Sequence, residues 1–177
     1  MDTPARVLVL STSLNPNSHS RRLGRIAFER LQKNGVAAEF ITLKDLDLPH
    51  CDAGEAYGSP AAQHLKKAAT ACTHVLFAVP IYNYDVNGAA KTVVELVGGD
   101  LAGKTVGFLC SAGGKGSYMS ILGFANSLML DFRCWIVPRY VYALWEDWNG
   151  EELKPELDSR LNELLATIVA HHPPKIK

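Results

Sequence analysis

Five short, mostly apolar runs punctuate this chain, at residues 6 to 11, 37 to 43, 74 to 79, 105 to 110 and 134 to 142. Each has the length of a strand, and the near-continuous apolar character predicts strands buried on both faces. The segments between them follow a different rhythm. Leu23, Ile26, Ala27, Arg30 and Leu31 recur at helical spacing and stop at Asn34-Gly35. Ser59-Pro60 opens a second helix as N-cap and first residue, with Ala61, Leu65, Ala68, Ala69 and Cys72 on its inner face. A third carries Ala89, Ala90, Val93, Val94 and Val97 and ends at Gly98-Gly99. Residues 117 to 131 read as helical too, and the last helix begins near Pro155 and aligns Leu157, Leu161, Leu164, Leu165, Ile168 and Val169.

Alternating strands and helices predict an α/β fold, a three-layer sandwich whose parallel sheet is covered on both sides. Right-handed crossovers and five strands suggest the flavodoxin-like order 2-1-3-4-5, in which the loops after strands 1 and 3 flank the topological switch point where open sheets bind ligands. A single domain spanning 1-177 is expected from the length. Residues 44 to 58 and 143 to 153 read as irregular connections, and the closing His171-His172 before Pro173-Pro174 reads as a frayed end.

The loops at that edge of the sheet carry the candidate chemistry. After strand 1 come Ser11, Ser13, Asn15, Ser18, His19, Ser20 and Arg21. Hydroxyls, a helix N-terminus and an arginine suit a phosphate, because N–H groups and the positive end of the helix dipole favour an anion. An N-cap role explains one serine, but not four. After strand 3 come Pro80, Ile81, Tyr82, Asn83 and Tyr84. The proline lacks an N–H and is expected to end strand pairing, while Tyr82 and Asn83 offer a flat ring and an amide. After strand 4, Ser111-Ala112-Gly113-Gly114-Lys115-Gly116 offers either a flexible turn or a backbone that a ligand can approach closely.

Together these loops resemble the flavodoxin-like NAD(P)H-dependent FMN reductases over roughly residues 6 to 145. Ser13, Ser18, Ser20 and Arg21 match the family's first loop, with Thr12 where glycine is common and Asn15 where arginine is common. Pro80, Tyr82, Asn83, Gly88, Ala89, Lys91 and Glu95 match a P-x-Y-N group followed by a G-A-x-K-x-x-x-[DE] helix, and Ser111, Gly113 and Gly114 match a Ser-x-Gly-Gly turn. The resemblance implies FMN as cofactor, with its phosphate on Ser13, Ser18, Ser20 and Arg21. Its ring would lie along Pro80 to Tyr84, with Ser111 to Gly114 along the ring's other edge. It also implies NADPH or NADH as electron donor, a free flavin, quinone or similar small molecule as acceptor, ping-pong hydride transfer, and a homodimer or homotetramer. A non-enzymatic FMN-binding electron carrier and a flavin-free interaction module share the same fold and stay open as alternatives. Tyr118, Tyr142, Trp145 and Trp148 are candidates to wall the acceptor space, or else core and subunit contacts.

Composition narrows the partners. Eighteen basic and eighteen acidic residues give a formal net charge of zero, which leaves no electrostatic footprint for nucleic acid and disfavours a strongly acidic carrier. Cys51, Cys72, Cys110 and Cys134 have no zinc-binding spacing. Lys44 to Asp52 superficially suggests a metal cluster, but reads better as a solvated loop. No apolar stretch reaches the roughly 18 residues of a membrane span, so a reducing cytoplasm is the expected location.

Overall fold

The computed structural model describes residues 4–172. Pro173 and Pro174 lie outside the described residues. The order is β1 (Arg6–Ser11), α1 (His19–Lys33), β2 (Ala37–Thr42), α2 (Pro60–Ala71), β3 (His74–Tyr82), β4 (Asp85–Val86), α3 (Gly88–Val97), β5 (Thr105–Ala112), α4 (Ile121–Phe132), β6 (Trp135–Ile136), β7 (Val141–Leu144), β8 (Trp148–Asn149), β9 (Glu152–Leu153) and α5 (Pro155–Ala170). The main sheet runs β2-β1-β3-β5, with β6 and β7 both paired to the far side of β5 and β4 paired to β3. Within this sheet all pairings are parallel except β3 with β4. The expected α/β sandwich is therefore present, with a seven-stranded sheet in place of five strands.

In β1, β3 and β5 the apolar runs work as buried strands because both faces are covered, whereas β2, at the sheet edge, buries only Ile41. Along β1, Leu8 and Leu10 join the cluster under α2, α3 and α4, while Val7 and Val9 join the cluster under α1 and α5. On β3, Val75, Phe77 and Val79 face the first layer and Leu76 and Ala78 the second. Successive strand residues point to opposite faces, so a strand covered twice needs apolar residues throughout. Helix α1 turns Leu23, Ala27 and Leu31 inward. Gly24 lets it lie close to the sheet, since a Cβ there would stand 2.9 Å from the Ala78 Cβ.

Further expectations change. Pro80 does not end β3, which continues to Tyr82 with Pro80 opposite Ser111 of β5. The Ala78 carbonyl accepts the Thr12 N–H on the β1 side, so two residues on, the missing N–H of Pro80 faces the side that β1 has already left. The fifth strand is broken: Ile136 faces Val106 and Val141 faces Leu109, leaving surplus residues that loop out around Pro138 and Arg139, whose φ is 64°. Residues 143 to 153 are not irregular either. They complete β7, make one 3-10 turn over Trp145–Asp147 and form the β8–β9 hairpin.

The loop 44 to 58 contains two short 3-10 segments, Leu43–Asp45 and Glu55–Gly58, and no group of metal-binding side chains occurs among the described residues. The expected helix 117 to 131 starts with a 3-10 segment over Lys115–Ser120 and becomes α-helical from Ile121. His171 is tethered, not frayed: its carbonyl accepts hydrogen bonds from His74 Nε2 at 2.9 Å and from the Thr105 hydroxyl at 3.2 Å. No described helix is long and apolar enough to cross a membrane.

Candidate functional site

β1, β3 and β5 end side by side, so the segments after them meet at the carboxyl edge of the sheet. After β1 the chain needs partners for the first N–H groups of α1. Ser18 is the N-cap, and its hydroxyl accepts the Arg21 N–H at 3.1 Å and lies 2.9 Å from the Ser20 hydroxyl. The N–H groups of His19 and Ser20, in the same first turn, have no carbonyl four residues back within the helix. Ser13 Oγ accepts the Asn15 N–H at 3.3 Å, and Asn15 Oδ1 accepts the Asn17 N–H at 2.9 Å. The Arg21 guanidinium folds back to donate to the Pro16 carbonyl.

This loop is clamped from across the sheet. The Thr12 hydroxyl donates to Asn87 Oδ1 at 2.7 Å, and Asn87 Nδ2 donates back to the Thr12 carbonyl at 2.8 Å. Asn87 precedes α3, but its side chain does not cap that helix. It spans to the first loop instead.

The segment after β3 is a tight hairpin. Ile81 pairs with Val86 and Tyr82 with Asp85, so Asn83 and Tyr84 form a two-residue turn with φ of 51° and 66°. Two left-handed residues in succession match the twist of a hairpin. An aromatic residue in that region carries a strain of about 1–2 kcal/mol. The hairpin leaves Tyr82 and Tyr84 more than half exposed.

The third segment is braced by aromatic residues. Tyr142 Oη donates to the Gly114 carbonyl at 2.7 Å and meets Ser117 Oγ at 2.8 Å, while Tyr118 packs on Tyr140 and Tyr142. Lys115 pairs with Glu146 at 3.0 Å, raising the pKa of the lysine and lowering that of the glutamate. A Cβ at Gly113 or Gly114 would meet open space, and neither glycine has a positive φ. The turn itself therefore does not require glycine at these positions; any such requirement lies with a ligand.

A cavity of about 210 Å³ opens where the three segments meet. From the first it takes Ser13, Asn15, Ser18, His19 and Ser20, from the second Pro80, Ile81 and Tyr82, and from the third Ser111, Ala112 and Gly113. Arg21, Asn83, Tyr84 and Gly114 are not among its walls. Arg21 instead lines a larger neighbouring cleft, while the turn holds Asn83 and Tyr84 beyond Tyr82. Two further residues do line the cavity: Asn17, inside the first loop, and Trp145, which stacks edge-on against His19 at 5.0 Å. Tyr118 and Tyr142 support the glycine turn. Trp148 is buried beside His19 at 5.4 Å.

The cavity's chemistry fits a flavin mononucleotide. The end at the start of α1 has serine hydroxyls, first-turn N–H groups and a buried His19 Nδ1 with no partner, as a phosphate requires, and no carboxylate lines the cavity. The open space over Gly113 and Gly114 leaves room for a flat ring against the backbone.

A sequence profile of NADPH-dependent FMN reductases matches residues 5–149. The chain belongs to that family. It is accordingly a flavin-dependent oxidoreductase. No curated protein matches the chain. Among solved structures, the apo form of the NADH:FMN oxidoreductase EMOB is similar, with a TM-score of 0.76 and 15% identity over 94% of this chain and 91% of that one. An oxidoreductase from Corynebacterium diphtheriae gives 0.72 and 20% over 96% and 100%. The NAD(P)H:(acceptor) oxidoreductase FerB from Paracoccus denitrificans gives 0.74 and 19% over 93% and 97%. At these identities the likeness establishes the fold.

Proposed function

We propose that this chain, acting as one flavin-binding domain, is an FMN-dependent NAD(P)H oxidoreductase that passes reducing equivalents to a free flavin, quinone or similar small acceptor. The observation that carries the reading is the convergence of uncapped N–H groups, paired serines and an open glycine turn around one carboxylate-free cavity at the switch point. Ser13, Ser18 and Ser20, with the N–H groups of His19 and Ser20, hold the phosphate, and Arg21 swings from Pro16 to neutralise it. Pro80 to Tyr82 and Ser111 to Gly113 position the ring, with Asn83, Tyr84 and Gly114 at its margin and Asn15 closing the loop. The bound flavin supplies the redox chemistry, taking hydride from a nicotinamide and returning electrons to an acceptor. The protein's contribution is orientation and exclusion of water, and neither a nucleophile nor a carboxylate pair is needed.

Donor and acceptor share one exposed face beside Tyr82 and Trp145, which predicts alternate occupancy and ping-pong kinetics. Exposed Leu122, Met129 and Leu130 on α4 suit assembly as a homodimer or homotetramer. Four free cysteines suit a reducing cytoplasm, and the neutral charge suits small-molecule partners rather than nucleic acid or membrane. Absorbance near 450 nm in the purified protein tests flavin binding. Anaerobic stopped-flow mixing with NADPH and NADH tests the enzyme reading: bleaching by either, with parallel double-reciprocal lines once a quinone is added, is expected. Flavin that dithionite reduces and neither nicotinamide does would mean a carrier instead.

A further inference from the structure

A cleft of about 820 Å³ lies beside the flavin cavity and shares Asn17, Ser18, His19 and Trp145 with it. Three arginines line it: Arg21, Arg22 and Arg25, on the first two turns of α1. No carboxylate lines the cleft, and among the described residues none pairs with any of the three. Of the acids that follow the rim residue Trp145, Glu146 pairs with Lys115 and Asp147 accepts the Leu144 N–H.

The guanidinium groups are positioned by neutral partners. Arg22 lies 4.5 Å from the centre of the Trp148 ring and donates to the Gly150 carbonyl at 2.8 Å, while Arg25 lies 4.1 Å over Phe40. Aromatic faces hold such a cation in place without neutralising it. A chain with no net charge thus concentrates positive charge in one concavity, next to the positive end of a helix dipole. Trp145, 75% exposed, stands at the rim as an open stacking surface. Trp148, 9% exposed, also lines the cleft, and its buried indole N–H has no acceptor.

We propose that this cleft receives the adenosine-phosphate half of a dinucleotide, with phosphate oxygens on Arg22 and Arg25 and the adenine against Trp145. The proposal rests on the flavin reading, because the cleft continues from the phosphate end of that cavity. Its volume lies in the range of about 300–1,000 Å³ typical of small-molecule sites, and Arg favours phosphate over other anions through its planar fork of donors. The adenosine phosphate has two natural sources, the nicotinamide donor and a flavin adenine dinucleotide, and both present the same chemistry to the cleft.

Calorimetric titration with adenosine 2′,5′-bisphosphate and with adenosine 5′-monophosphate, on the FMN-loaded protein and on the chain alone, reads the site without turnover. Binding is expected, together with a change in Trp145 fluorescence that is absent in Trp145→Phe. Arg22→Ala and Arg25→Ala, each checked for unchanged thermal stability, should weaken it about ten- to a hundredfold. Arg25→Lys, which keeps the charge, should recover part of the loss. FMN affinity should stay within about twofold in these variants, because Arg22 and Arg25 lie outside the flavin cavity. If apoprotein prefers FAD to FMN and the preference disappears in Arg22→Ala, the flavin is the source. If the KM for NADPH rises with kcat held, the donor is the source. Absence of nucleotide binding at millimolar concentration, or binding indifferent to both arginines, overturns the proposal. Loss of the 450 nm band in wild type would instead overturn the flavin reading, and the nucleotide titration still applies to the chain alone.

Discussion

Thr12 and Asn87 offer the sharpest test of how the site is held. Thr12 is fully buried, and its hydroxyl and carbonyl exchange two hydrogen bonds with the Asn87 amide at 2.7 and 2.8 Å. Thr12→Val keeps the side chain's shape and removes one of them, leaving Asn87 Oδ1 without its donor, a loss of about 1–2 kcal/mol. Asn87→Ala removes both, strips the Thr12 carbonyl of the amide donor and leaves the Thr12 hydroxyl only the Ala78 carbonyl at 3.5 Å, so about 2–3 kcal/mol is expected. The double variant should cost less than the sum, with a coupling of about 1 kcal/mol. In a chain of this length that is roughly 2–4 °C of melting temperature per kcal/mol. Urea unfolding of the wild type, both single variants and the double variant supplies the cycle, and FMN titration of each apoprotein supplies the functional readout. Affinity should fall in both single variants, because the clamp ties the phosphate loop to the helix that follows the ring-binding hairpin. Strictly additive stabilities with unaltered FMN affinity would refute the clamp.

Arg21→Ala should lose about ten- to a hundredfold in FMN affinity and little in riboflavin affinity; equal losses for both would make Arg21 a structural residue. Gly114→Val should leave urea stability within about 0.5 kcal/mol, since its Cβ meets open space, while flavin content drops; full flavin content with normal turnover would remove the glycine argument. Tyr142→Phe deletes the hydroxyl that braces Gly114 and Ser117, so amide exchange across 113 to 118 should quicken and FMN affinity fall severalfold, and unchanged exchange would show the turn to be self-supporting. His74 has its pKa lowered, chiefly by burial, against a weaker opposing effect of the His171 carbonyl. The unfolded chain then binds more protons than the native one, so this contribution is complete above the ordinary histidine value of about 6.5 and is lost as pH falls through the native value. The urea midpoint should therefore drop between pH 8 and pH 5 by less in His74→Asn than in wild type.

Much of the architecture was legible from local pattern. Doubly covered strands must be apolar at every position, so β1, β3 and β5 announce themselves, and the caps at Ser59-Pro60 and Asn34-Gly35 mark helix ends where backbone groups need partners. Strand order followed from crossover handedness, and with it the placing of the three loops at one edge. Within those loops the residue types carry the phosphate-and-ring reading proposed above, because serines, a helix start and glycines suit such a ligand by their own local geometry.

What local pattern does not carry is the direction of a side chain whose partners lie far away in sequence. Pro80 reads as a strand end, yet it stays in β3 because β1 stops first and leaves its missing N–H nothing to pair with. Residues 134 to 142 read as one strand, but Pro138 and the left-handed Arg139 force surplus chain out of the ladder. Thr12 and Asn87 are 75 positions apart, and neither is unusual until β1 and α3 are packed against one sheet. Arg22 and Arg25 stand off the buried face of α1. Only the fold sets them beside Trp145 and Trp148 from beyond β7, since a concavity of one charge arises from which surfaces the packing brings together and not from any spacing along the chain.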